Sequence, residues 1–202
     1  MSTKLPLSFY QRNNVVLVAR ELLGKYVYAN ISGQLCGGII IETEAYRGSE
    51  DRGSHAYNNR RTPRNEIMFG AGGVIYMYIC YGIHDMLNIV SGTEGMSHAI
   101  LIRAIEPLTG INIMRERRNL YDQDKRLCQG PGSLSKALGL NKLHNGTDLQ
   151  KDEIWIEDKG LSYLDEEVVA TARVGMNFEG PYKQIPWRFY VKGNPFVSRP
   201  HI

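Results

Sequence analysis

The chain has 202 residues, a formal net charge of +3, and 43% hydrophobic against 22% charged residues. This is enough apolar material for a packed core, and too ordinary a mixture for a disordered, collagen-like or disulfide-scaffold chain. No apolar run approaches the roughly 20 residues that a membrane-spanning helix needs, and the mild positive charge permits a nucleic-acid partner without demanding one.

In chain order, Val15, Val18, Ala19, Leu22 and Leu23 recur at helical spacing, behind Asn14 as N-cap and ahead of Gly24 as stop. Strands are predicted over 26–30 and 38–46, parted by the turn pair Ser32-Gly33. Residues 47–65 are polar and rich in Gly, Ser, Asn and Arg. They read as a long loop of the kind that tends to carry function. Two further strands, 74–81 and 86–90, flank a turn at 82–85, and another spans 98–105. Helices are predicted over 111–118 and 133–140, and late strands over 168–174 and 187–191. Strands fill the middle without a strand–helix–strand rhythm. The expectation is an α+β fold with a mostly antiparallel sheet flanked by helices.

No internal repeat or linker-like stretch divides the chain, so 1–202 reads as one domain. Cys36, Cys80 and Cys128 are dispersed, without a C-x-x-C pair, and residues 1–10 lack the basic start and apolar run of a secretory signal. Both point to an intracellular protein with free thiols. Arginines crowd two stretches, at 47–64 and at 115–126, and residues 148–167 are acidic. On charge alone, a solvated mixed surface is the favoured reading.

Three groups of residues could carry chemistry. Glu42 and Glu44 close a strand that begins Ile39-Ile40-Ile41, and in a regular strand they share a face. Paired carboxylates suit general acid–base work on a glycosidic bond, or a metal; a strand end meeting solvent would explain them equally well. Tyr76 and Tyr78 share the face opposite to Tyr81. The pair could sandwich a planar base and the third could wedge into a base stack, although a tyrosine-rich core strand is the commoner arrangement. Arg103 lies inside the apolar run 101–105, where it needs a carboxylate partner, Glu44 or Glu106. His55 stands in the polar loop, and no histidine or cysteine at ligand spacing accompanies it, so no metal site is read. The interval between Lys25 and Lys125 holds no lysine, which favours water over a Schiff-base lysine as nucleophile.

These motifs, in this order, resemble the alkyladenine (3-methyladenine) DNA glycosylase family over about residues 8–198. The resemblance rests on Glu42-Thr43-Glu44-Ala45-Tyr46, Arg61-Thr62-Pro63-Arg64-Asn65, Tyr76-Met77-Tyr78-Ile79-Cys80-Tyr81-Gly82 with Asn88, and Leu101-Ile102-Arg103-Ala104. Gly130-Pro131, Arg173-Val174-Gly175, and Arg188-Phe189-Tyr190-Val191 with Gly193-Asn194-Pro195 extend it. It implies a protruding β-hairpin on a single curved-sheet domain. It also implies a monofunctional hydrolase, without lyase activity, that flips alkylated or deaminated purines out of duplex DNA and leaves an abasic site. By position, Glu44 would activate the water, Arg103 would help place it and the Val174 carbonyl would accept from it. Tyr46, His55 and Tyr78 would form the base pocket, and Asn88 would crowd the amino group of normal guanine. Tyr81 would fill the gap in the duplex, and Arg60, Arg61 and Arg64 would meet the DNA backbone. The family needs no metal or organic cofactor, and a cytoplasmic monomer that joins the nucleoid on DNA is implied.

Two other readings stay open. A nucleic-acid-binding module without catalysis would explain the aromatics and arginines but leave Glu44 and Arg103 without a task. A sugar hydrolase would use both Glu42 and Glu44. The lesion range (3-methyladenine, 7-methylguanine, hypoxanthine, ethenoadenine) stays open too. Three positions depart from the family pattern: Asp85, where an apolar or aromatic residue is usual, and Ser133 and Ser135, where lysine and cysteine are expected. An acid facing DNA at 85 would repel phosphates, and a serine at 133 would remove a phosphate contact.

Overall fold

The computed structural model describes residues 3–122 and 124–199. Its strands are β1 (Thr3–Lys4), β2 (Tyr26–Ile31), β3 (Gln34–Arg47), β4 (Ile75–Cys80), β5 (His84–Ser91), β6 (His98–Thr109), β7 (Ile154–Asp158), β8 (Val168–Thr171) and β9 (Arg188–Val191). The helices are α1 (Leu7–Tyr10), α2 (Val15–Glu21), α3 (Ile111–Arg118), α4 (Pro131–Leu138) and α5 (Pro181–Gln184). The strands form one sheet in the order β1-β7-β2-β3-β6-β5-β4, with β9 joining β3 to β8, and every pairing is antiparallel. The α+β expectation holds.

β3 is the axis of the sheet. Its first half pairs with β2, Glu42–Glu44 pair with β9, and β6 runs along the other side from Gly37 to Arg47. The register against β6 shifts around Glu42, between Ile40 and Thr43, where the partner on the far edge changes. Such a bulge bends a strand and increases its twist, and here it stands beside the two glutamates.

Asn14 caps α2 by accepting from the Leu17 amide, as its sequence position suggests. α2 lies on β3, where Thr43 Oγ1 donates to the Ala19 carbonyl at 2.8 Å. α3 and α4 pack on each other, and α4 covers β5 and β6. β6 is therefore buried along nearly its whole length, which is why it reads as an apolar run around Arg103.

Several boundaries differ from the sequence reading. β8 stops at Thr171 rather than 174, because the backbone leaves the sheet to carry Arg173 and Val174 into the interior. α4 starts at Pro131, a residue suited to the first helical turn, and ends against Gly139. The 74–81 strand ends at Cys80, and pairing resumes at His84, so the turn is Tyr81-Gly82-Ile83. β7, which pairs with both β1 and β2, was hidden by the acidic character of its surroundings. No helix among the described residues is long and apolar enough to cross a membrane, and the three cysteines are unpaired.

Candidate active site

One face of the sheet opens into a cleft of about 650 Å³. Its lining follows from strand alternation. β3 contributes Glu44 and Tyr46, β6 Ala99, Leu101 and Arg103, β5 Met86 and Asn88, and β4 Tyr76, Tyr78 and Cys80. The residues between them, among them Ala45, Ile100, Ile102, Leu87, Ile89, Ile75 and Met77, point into the main apolar core on the other face. One sheet thus separates a dry core from a polar, aromatic cleft.

Glu44 lies at the floor, fully buried. Its Oε1 accepts from the Val174 amide at 2.7 Å and faces Arg103 Nη1 at 3.3 Å, and its Oε2 accepts from the Tyr46 hydroxyl at 2.9 Å. Val174 thus reaches Glu44 through its N–H. Tyr46, expected only as a pocket wall, also holds the carboxylate. Its hydroxyl is pushed well above the ordinary tyrosine range by burial and by the neighbouring Glu44, so it stays a donor.

Glu42 shares the face with Glu44, as alternation requires, but lies deeper in a closed cage. Its Oε1 accepts from Arg103 Nε at 2.9 Å, Arg188 Nε at 2.8 Å and Ser198 Oγ at 2.9 Å, and its Oε2 from the Ser198 amide at 2.7 Å. Burial opposes its charge, but the two guanidiniums and the Ser198 donors outweigh that and hold its carboxyl below the usual range. Glu42 does not line the cleft, which removes the acid/base pair that the sugar-hydrolase reading needs. Arg103 bridges the two glutamates rather than pairing with Glu106, which accepts from Asn194. Arg188 and Ser198 were not singled out from sequence; Arg188 stood in a quoted motif without a role.

The aromatic wall is tightly interlocked. The rings of Tyr76 and Tyr78 are 5.6 Å apart, and the His55 ring meets Tyr78 edge-on at 4.6 Å. His55 Nδ1 is 2.8 Å from the Tyr76 hydroxyl. Burial, then Arg64 and Arg60, push the His55 imidazole down to about 4, so it is neutral at physiological pH. His55 is not the solvated loop histidine that its surroundings suggest.

The reason lies in the loop itself, which polar side chains fold back on its own backbone. Asn65 donates to the carbonyls of His55 and Arg60 and accepts from the Thr62 amide and hydroxyl. Asp51 accepts from the amides of Arg47 and Gly53, and its carboxylate takes both terminal nitrogens of Arg173, at 2.5 and 2.7 Å. That pair is fully buried, and the Arg173 guanidinium sits 4.6 Å from the centre of the Tyr46 ring. A Cβ on Gly53 would come within 2.8 Å of Arg173 Nη2, so glycine is needed for this approach. The Asp51–Arg173 pair was missed because its partners are distant in sequence.

Asn88 is nearly fully buried and donates through Nδ2 to the carbonyls of Tyr76 and Met86. With the amide hydrogens used, the carboxamide oxygen is the end left for the cleft. Such an oxygen can accept from an exocyclic amino group, so a clash with one would come from its bulk rather than from its hydrogen-bonding character.

At the cleft mouth, Tyr81 is 83% and Ile83 74% exposed on a turn in which Tyr81 (φ 51°) and Gly82 (φ 75°) are both left-handed. A bulky residue with positive φ is rare. The sequence reading placed Tyr81 on a strand face; it stands in the turn itself, which projects its ring.

Asp85 lies on β5, half-buried and opposite Ile79, so the tip is apolar and the acid is not at its point. Ser133 accepts from Arg118 Nη2 at 3.0 Å, and Ser135 is fully buried in α4. Among the loop arginines, Arg61 is held in a two-point contact by Glu66 and lies over Phe69. Arg64 lies 5.1 Å from the centre of the Tyr78 ring, at the edge of the cleft, and Arg60 is exposed beside it. No group of three or more metal-ligating side chains occurs among the described residues.

A sheet face thus delivers a buried carboxylate into an aromatic cleft below a hairpin tip that carries Tyr81 and Ile83, the layout of an enzyme site. The family model described as methylpurine-DNA glycosylase matches residues 8–195. Relatives carrying the name "Putative 3-methyladenine DNA glycosylase" include one from Chlamydia felis, 43% identical over 186 residues, covering 92% of this chain and 94% of the relative. One from Clostridium acetobutylicum is 43% identical over 203 residues (96% and 97%), and one from Alkaliphilus oremlandii 40% over 203 residues (97% and 99%). The chain belongs to the methylpurine-DNA glycosylase family, hydrolases of N-glycosyl bonds in DNA base-excision repair.

Proposed function

We propose that this chain, acting as a monomeric, monofunctional glycosylase, excises alkylated or deaminated purines from duplex DNA. Glu44 activates the attacking water. The observation that carries this reading is the position of Glu44: fully buried at the cleft floor, its oxygens held by a backbone amide and a tyrosine hydroxyl at 2.7 and 2.9 Å. A carboxylate fixed in this way can take a proton from water and stabilise the positive charge that develops on the sugar as the base departs.

A base inside a duplex cannot reach that floor, so it must leave the stack, at a cost of a few kcal/mol that is smallest for poorly paired lesions. Tyr46, His55 and Tyr78 then wall a slot for the purine, and Tyr81 occupies the vacated place in the stack. Arg60 and Arg64 lie beside the mouth, where phosphates would pass. Among the described residues no lysine lines the cleft, which supports direct hydrolysis over a Schiff-base route and its lyase step.

The test is single-turnover excision from duplexes carrying ethenoadenine, hypoxanthine or 7-methylguanine, read by alkaline cleavage of the abasic product. Glu44→Gln keeps the shape and removes the basicity; it should lower the rate about 10²–10⁴-fold while affinity for lesion DNA persists. A rate within about tenfold of the parent, below the usual contribution of general-base catalysis, overturns the assignment.

A further inference from the structure

We propose that Ser198, together with Glu42, forms a positioning pair that sets how Arg103 meets Glu44. The proposal rests on the reading of Glu44 as the base. Arg103 makes three contacts from one rigid plane: Nε to Glu42 at 2.9 Å, Nη1 to Glu44 at 3.3 Å, and Nη2 to Ser198 Oγ at 3.3 Å. A guanidinium is planar, with its donors in a fixed fork. Anchoring Nε and Nη2 therefore fixes where Nη1 can stand.

Ser198 serves both anchors. Its hydroxyl donates to Glu42 Oε1 at 2.9 Å and accepts from Arg103 Nη2, while its amide donates to Glu42 Oε2 at 2.7 Å. Glu42 is fully buried and outside the cleft, so it touches neither base nor sugar. Its four donors hold it as an immobile counter-ion. Buried ion clusters add little stability over apolar packing of the same volume, so retaining two glutamates and two arginines here is better explained by geometry than by folding energy. Were Arg103 free to rotate, it could close on Glu44 with two nitrogens and block the edge at which water must sit.

The segment carrying Ser198 is itself fastened. Val197 is buried against Ile41, Ala104, Tyr190 and Val191, and its carbonyl accepts from Gln129 Nε2 at 2.9 Å. Arg188, which also holds Glu42, donates to the Arg199 carbonyl. Both anchors of Arg103 are thus locked to β9 and to the segment that follows it.

Ser198→Ala and Ser198→Thr separate positioning from folding. Ser198→Ala should slow single-turnover excision about tenfold, the scale of one hydrogen bond to a charged group. Its melting temperature should fall only slightly, because Glu42 keeps three other donors, and its affinity for a duplex carrying a tetrahydrofuran abasic analogue should be unchanged. Ser198→Thr keeps the hydroxyl and should recover most of the rate. Glu42→Gln should fall between Ser198→Ala and Glu44→Gln; where it does not fold, the serine pair decides alone. A parental rate in Ser198→Ala overturns the proposal, and so does an equal loss in both serine variants accompanied by a large drop in melting temperature. Failure of the base assignment is read separately, as retained activity in Glu44→Gln.

Discussion

At the floor of the cleft, Glu44 is fully buried and donors from β3, β6 and the segment after β8 converge on its two oxygens. On the hairpin that forms the rim, Tyr81 and Ile83 stand 83% and 74% exposed on a left-handed turn. The two regions are joined by β4, whose Tyr76 is buried five residues before Tyr81. The floor is over-determined, so its geometry exists before substrate arrives. The tip exposes two large side chains with nothing of the protein to cover them, and on the proposed reading they meet the base stack.

Two tyrosines five positions apart break or sharpen this contrast most strongly. Tyr76→Ala opens a cavity among Met68, Phe69, Val90 and Ala99, and should cost about 3–5 kcal/mol of folding stability. Tyr81→Ala should melt with the parent protein and still lose roughly tenfold to a hundredfold in excision, the scale of stacking on one base. That loss should shrink on mispaired lesions, where flipping is easier. Chemical denaturation of both variants, with excision assays on paired and mispaired duplexes, provides the check. A melting drop in Tyr81→Ala, with equal loss on both duplexes, would erase the distinction.

Acid should find the buried region first. His98 is buried, and burial followed by Arg47 pushes its imidazole from the ordinary 6.5 down to about 4. The unfolded chain therefore takes up a proton before the folded one does. The contribution is fully present above pH 6.5 and drains away as pH falls toward 4, by on the order of 1–3 kcal/mol. His55 acts with the same sign. Denaturation midpoints measured between pH 7 and pH 4 should fall, and His98→Gln should flatten part of the slope; an unchanged slope would show that His98 takes no part.

The smallest effect expected is one of selectivity. Asn88→Ser shortens a side chain that two backbone carbonyls hold rigid, so it should make room for the guanine amino group. Release of undamaged guanine should rise several-fold, below the roughly 10–200-fold that one methylene in a pocket can command, while excision of alkylated adenine persists. Base release from undamaged duplex, resolved by chromatography, is the measurement. No gain against guanine would make Asn88 a structural residue of β5.

Much of the cleft was legible because alternation is a property of the chain itself. Once 38–46, 74–81, 86–90 and 98–105 read as strands, Glu44 with Tyr46, Tyr76 with Tyr78, and Arg103 with Leu101 were bound to share faces. The resemblance drawn on the same motifs proposed roles for Glu44, Tyr46, Tyr78 and Arg103. The family comparison bears out the family, and the roles stand as proposals. Alternation alone did not tell which glutamate would face the cleft and which would be caged. Both lie on one face, and the difference is made by Arg188 and Ser198, which are 146 and 156 residues from Glu42. The same holds for the wall around His55, where Asp51 meets Arg173 across 122 residues, and for the left-handed turn that lifts Tyr81 off its strand face. Local periodicity fixes which way a side chain points. What waits there to pair with it, and hence whether a carboxylate is a tool or a strut, is decided only when distant segments pack.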